Sequence, residues 1–194
     1  MKSILSSFIL LFFIAHAFSA EIILQNPKVN EKAPLFSAVN SYGEKINLTD
    51  FQGQPVILEW SNHECPYVAR HYEEENMQSV QKMAQEEGFV WLTIISSTPG
   101  EQGHVNPSLA NDLTQSRKAY PSHVLLDESG EIGMQYGAKT TPHMYMIDDK
   151  GLLRYKGAID DIGMGMKFFS ASFANATNYV ATQLSDVKKN KKLV

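Results

Sequence analysis

A single cysteine, Cys65, stands among 194 residues. One thiol excludes an intramolecular disulfide, so neither a stapled fold nor an internal dithiol cycle is open to this chain. Basic excess is missing too: 17 Lys and Arg face 21 Asp and Glu, a formal charge of −4. Nucleic-acid binding wants a basic face, so no nucleic-acid partner is expected. The one basic run, Lys188-Lys189-Asn190-Lys191-Lys192, reads as a solvated helix end. Repeats and low-complexity linkers are absent. So is an apolar run of the ~20 residues that a bilayer span needs, and an integral membrane protein is not expected.

What is present begins with an export signal. Lys2 precedes residues 4–13, which are apolar apart from Ser6 and Ser7. Ala15, Ala17 and Ser19 then supply small residues at signal-peptidase spacing. No cysteine follows the run, so a lipoprotein signal is not expected; an uncleaved anchor is the alternative. The expectation is a signal peptide over 1–20, one domain over 21–194, and a periplasmic or secreted location. With 43% hydrophobic residues, a domain of that size can build a core.

The pattern along the domain alternates strands and helices. Residues 33–48 predict a β-hairpin turning at Asn40-Ser41-Tyr42-Gly43. Residues 56–60, 89–95 and 123–127 read as buried strands. A helix is predicted over 66–87, with Val68, Tyr72, Val80, Met83 and Ala84 inward, Glu73, Glu74, Gln81 and Glu86 toward water, and Gly88 closing it. A short helix follows over 108–118. Residues 144–147 and 152–155 form a hairpin around Asp148-Asp149-Lys150-Gly151. A last helix over 174–188 would bury Ala174, Tyr179, Val180, Leu184 and Val187. This order describes an α/β sandwich with a mixed central sheet and an N-terminal β-hairpin extension.

Cys65 sits where a strand hands over to a helix. Unpaired N–H groups and about half a positive charge gather at a helix N-terminus. That setting stabilises a thiolate and lowers a thiol pKa by about one to several units. Pro66 fixes the first helical φ. A buried structural cysteine is the alternative, but the polar approach Ser61-Asn62-His63-Glu64 favours a reactive thiol. His63 could exchange protons near neutral pH, and His71, six residues into the helix, points away from the thiol. Asn62 suits a cap. A Cys65/His63/Glu64 metal site lacks a second cysteine and a ligand-spacing motif, so no metal or other cofactor is expected.

The run Trp60 to Val68, with Cys65-Pro66 at its centre, resembles thioredoxin-like proteins of the AhpC/TSA (redoxin) family. Ala33-Pro34-Leu35-Phe36 resembles that family's opening hairpin, and Thr140-Thr141-Pro142 its cis-proline loop. An exported bacterial subgroup is similar also in Trp-x-Asn-x-x-Cys-Pro, in residues 137–144 and in Gly157-Ala158-Ile159-Asp160-Asp161. The resemblance implies a thiol-dependent oxidoreductase, a peroxiredoxin-like antioxidant enzyme acting on a peroxide or a protein disulfide. Cys65 would be catalytic, with Trp60, Asn62, His63, Pro66, Thr141 and Pro142 binding substrate or tuning the thiolate. Two departures matter. Val68 occupies the resolving position of Cys-x-x-Cys, and Leu58 and Asn62 replace the Pro and Thr of the peroxiredoxin cradle. An external thiol or thioredoxin-like reductant must therefore complete the cycle. The alternative is a non-catalytic thioredoxin-fold module that binds a peptide or a metal.

Overall fold

The structure, a computed structural model, describes residues 26–163 and 165–189. The expected signal peptide and the end of the basic tail lie outside them. Strands β1 (Ser37–Asn40) and β2 (Lys45–Asn47) form the opening hairpin, and β3 (Val56–Trp60) leads to α1 (Pro66–Glu73) and α2 (Asn76–Glu86). Then come β4 (Val90–Ile95), α3 (Pro107–Ser116), β5 (His123–Leu126) and α4 (Glu131–Tyr136). The chain closes with β6 (His143–Ile147), β7 (Leu153–Gly157), α5 (Met166–Ser170) and α6 (Tyr179–Lys188).

The seven strands make one sheet in the order β2-β1-β5-β4-β3-β6-β7. β3, β4 and β5 run parallel, because helices carry the chain back between them. The hairpin pairs of β1 with β2 and β6 with β7 are antiparallel, as are β1 with β5 and β3 with β6. This is the expected mixed sheet with flanking helices.

Alternation along the strands builds two cores. Leu58, Trp60, Leu92, Ile94, Tyr145 and Ile147 face the side covered by α4, where Tyr136 packs on Trp60 at 5.3 Å between ring centroids. Ile57, Trp91, Met144 and Met146 face α1, α2 and α6, meeting Val68, Met77, Val180 and Leu184. Cys65 follows the C-terminal end of β3, beside the central strand β4, and packs against the second of these layers.

Several expectations need correction. The predicted helix over 66–87 is two helices, because Glu75 takes a left-handed φ of 57°. The apolar stripe changes phase there. Met77, Val80 and Ala84 turn inward, while Met83 is 37% exposed. Gln81, expected to face solvent, is fully buried, its amide turned toward Tyr72 Oη and accepting the Tyr120 N–H. The last helix starts at Tyr179, where the Asn178 side chain accepts from the Ala181 N–H at 2.9 Å, and Ala174 lies outside it and exposed. The short helices α4 and α5 were not anticipated.

Candidate active site

Cys65 is the N-cap of α1, with φ −74° and ψ 122°, and Pro66 stands at the first helical position. Its carbonyl accepts the Ala69 N–H at 2.9 Å, the first bond of the helix. The side chain is half-buried. Its S–H donates to the Thr141 carbonyl at 3.2 Å. Thr141 and Pro142 are joined by a cis peptide bond at the mouth of β6. The helix start and the proline loop therefore meet at the sulfur.

The approach to the cysteine is held from two sides. Asn62 Oδ1 accepts the Glu64 N–H at 2.9 Å, and the Asn62 carbonyl accepts the Cys65 N–H at 3.1 Å. From the 96–106 loop, the Gly103 N–H donates to Glu64 Oε2 at 2.6 Å. A Cβ on Gly103, whose φ is +82°, would stand 2.3 Å from the Asn62 side chain, so only glycine fits. Arg117 donates to the His63 carbonyl at 3.2 Å while stacking on Tyr72. The His63 ring lines a cavity of about 30 Å³ with Ser61, Tyr72, Thr93 and Arg117, and its Nδ1 has no hydrogen-bond partner.

Beneath the last turn of α1 lies a carboxylate with no ion-pair partner among the described residues. Glu59 is fully buried in β3. Tyr72 Oη straddles its two oxygens at 2.9 and 3.0 Å, and Trp91 Nε1 and Thr93 Oγ1 each donate to Oε2 at 2.9 Å. Gln81 Nε2 approaches the same oxygen at 3.5 Å and Tyr72 Oη at 3.3 Å. Burial and the neighbouring Glu59 push the Tyr72 phenol well above its ordinary range, so it stays a donor.

On the other side of the cis-proline loop a cleft of about 300 Å³ opens between Tyr67, Thr141, Pro142, Ala158, Asp160 and Phe168. His71 and His143 also reach it. His71 is buried, accepts from Asn76 at Nδ1 (2.7 Å), and so presents its Nε2–H toward Asp160 Oδ2 at 3.9 Å. Burial, helped by Arg70 and opposed by Glu74, holds the His71 pKa down to about 4. His143 is also lowered, by burial and then by Lys156 and Lys139. Burial raises the Asp160 carboxyl, with Asp161 adding to it, while the Ile162 N–H and Arg70 pull the other way.

Of the residues expected at the site, Cys65, Pro66, Thr141 and Pro142 converge on the sulfur. Asn62 shapes the approach loop. Trp60 lies in the core beneath, its Nε1 donating to Ser96 Oγ at 3.1 Å. The His63 ring faces its own cavity. Sequence reasoning passed over Glu59 and turned Gln81 toward water. A lone acid inside the otherwise apolar run 56–60 was the available signal. Among the described residues, no three His, Cys, Asp or Glu side chains gather as a metal would require. No helix there is long and apolar enough to cross a membrane.

A mixed sheet with a cysteine at a helix N-cap facing a cis-proline is a thioredoxin-like architecture. Residues 29–156 match the AhpC/TSA family, and the chain belongs to it. No curated protein matches the sequence significantly. Solved structures share the fold. An uncharacterized conserved protein from Geobacillus kaustophilus superposes with a TM-score of 0.70 at 19% identity, over 86% of this chain and 85% of that one. A hypothetical protein from Sinorhizobium meliloti gives 0.69 at 19% identity, over 87% and 88%. The thioredoxin domain of a thiol-disulfide oxidoreductase from Bacteroides vulgatus gives 0.54 at 16% identity, over 74% and 94%.

Proposed function

We propose that the chain is an exported thiol oxidoreductase that works through Cys65 and takes its second thiol from outside. One observation carries this reading: the sulfur at a helix N-cap, half-open to solvent, faces the carbonyl that precedes a cis-proline. Membership in the AhpC/TSA family and the thioredoxin-like fold support it.

In the first step the Cys65 thiol loses its proton and attacks one sulfur of a disulfide. A Cys65–S–S–R bond forms and the substrate S–S bond breaks. The electron pair leaves on the departing sulfur, which takes up a proton. Val68, where a resolving thiol would stand, is fully buried among Ile57, Tyr72 and Met77. An external thiol must therefore attack the mixed disulfide and release Cys65. Peroxide reduction is the second reaction this thiol supports, giving a sulfenic acid that an outside thiol reduces. Disulfide exchange leads because Asn62 is committed to the Glu64 N–H and Leu58 is sealed in the sheet.

The leader composition of residues 1–20 supports export, with the domain beginning near residue 21. The experiment is to treat the reduced protein with a small disulfide. One adduct on Cys65, released by added thiol, is the expected mass-spectrometric result. A Cys65 that stays unmodified by disulfide and peroxide alike would leave a binding module.

A further inference from the structure

The cleft beside the cis-proline loop carries chemistry that the redox step does not use. Tyr67 and Phe168, whose ring centroids are 4.7 Å apart, line it together with Pro142 and Ala158. Among the described lining residues Asp160 is the one acid, and both histidines in the lining are held below their ordinary range. Asp160 is 7% exposed. Its Oδ1 accepts the Ile162 N–H at 3.2 Å, and its Oδ2 has no hydrogen-bond partner. His71 Nε2, at 3.9 Å, is too far to supply one.

Arg70 pulls on Asp160, and Lys156 and Lys139 on His143, through space, but among the described residues none of the three forms an ion pair with Asp160. Arg70 is tied to Glu74 at 2.6 Å and to the Ala171 carbonyl, with its guanidinium over Phe168 and Phe173. Lys156 Nζ donates to Asn26 Oδ1 and to the Pro27 carbonyl, both at 3.0 Å. Lys139 is on the exposed side of His143. Asp161, next in the chain, adds a second negative charge, which the Thr177 N–H meets through Oδ1 at 2.9 Å. The cleft thus combines an under-satisfied carboxylate with aromatic faces and backbone carbonyls. These are the groups that attract an ammonium or guanidinium.

We propose that this cleft is a specificity subsite for cationic disulfides, with Asp160 selecting a lysine, arginine or amine beside the sulfur that Cys65 attacks. The proposal rests on the disulfide-exchange reading. Thr141 links the two sites physically: its carbonyl meets Sγ, and the residue itself lines the cleft. On this proposal a substrate whose sulfur reaches Cys65 places its neighbouring group at the cleft mouth.

The test compares three small disulfides at fixed ionic strength: cystamine, 2-hydroxyethyl disulfide and 3,3′-dithiodipropionate. Each rate with Cys65 is divided by the rate of the same disulfide with mercaptoethanol, which removes leaving-group differences. The expected order is cation, neutral, anion, with about a tenfold advantage of cystamine over the neutral reagent. Asp160→Asn should reduce that advantage to about twofold or less, whereas Glu101→Gln, outside the cleft, should leave it intact. Equal normalised rates in the parent, or an unchanged preference in Asp160→Asn, would overturn the subsite while leaving disulfide exchange standing. If no disulfide reacts, the redox reading falls instead. The subsite is then read by titrating n-butylamine and propionate against the NMR signals of Tyr67 and Phe168. Saturable shifts with the amine alone support it, and their absence overturns it.

Discussion

Cys65 and Thr141, 76 residues apart in the chain, meet through a sulfur and a carbonyl oxygen at 3.2 Å. A carbonyl so placed guides whatever replaces the thiol proton, because a bound chain running past it has one backbone acceptor already aimed at the sulfur. Cys65→Ser should therefore keep the fold and lose thiol exchange entirely. Circular dichroism and mixed-disulfide trapping read the two halves. Residual exchange in the variant would place the chemistry elsewhere.

Val68 lies one helical turn after Cys65 and is fully buried. Val68→Cys should create a pair able to close an intramolecular disulfide across that turn, and it should release mixed disulfides faster than the parent. Truncating a buried valine by this little should lower stability by about 1 kcal/mol. Single-turnover release followed by mass spectrometry is the measurement.

Gly103 is the residue against which the approach loop is cast. Gly103→Ala must either displace Asn62 or abandon the left-handed φ of 82°. The expected loss is about 1–3 kcal/mol in a urea melt. Cys65 alkylation should change in the same variant, since Asn62 holds both the Glu64 and Cys65 N–H groups. An unchanged alkylation rate would separate the loop from the thiol.

His71 makes stability depend on pH. Its folded pKa of about 4 lies below the unfolded value of 6.5, so the unfolded chain binds the extra proton. Its contribution is complete above about pH 6.5 and is lost as pH falls through 4. The loss is on the order of 3 kcal/mol. His71→Gln should flatten the urea midpoint between pH 6.5 and 4. An equally steep profile in the variant would assign the acid sensitivity to other groups.

Glu59 depends on its donors as they depend on it. Glu59→Leu leaves Tyr72, Trp91, Thr93 and Gln81 without their acceptor, and should cost about 3–5 kcal/mol. Tyr72→Phe, which removes one donor and keeps the ring, should cost about 1 kcal/mol. Urea midpoints rank the two.

Much of this molecule was legible in the sequence because the signals are local. Val56 to Trp60 followed by Cys65-Pro66 announces a strand delivering a cysteine to a helix start. Asp148-Asp149-Lys150-Gly151 announces its hairpin. Glu59 was not legible in the same way, since its partners lie 13 to 34 residues further on, on α1, α2 and β4. Nothing near Gln81 shows that its amide turns inward. The break at Glu75 was hidden because glutamate favours helix, and only tertiary packing turns its φ positive. Asp160 was visible as part of a motif, but the cleft that gives it meaning is assembled from Tyr67, the proline loop and α5.

The carboxylate in the middle of the sheet also acts as an index mark. Val56, Ile57, Leu58 and Trp60 are apolar, so a slip of β3 by one residue against β4 or β6 would bury them about as well as before. Glu59 alone would notice. It would swing to the opposite face, toward Tyr136, Tyr145 and Ile132, where both phenol hydroxyls already donate to backbone carbonyls. A misaligned sheet thus meets an isolated charge, while the correct alignment meets a ready-made socket. The same residue that ties the helices to the strands proofreads the strand that carries Cys65.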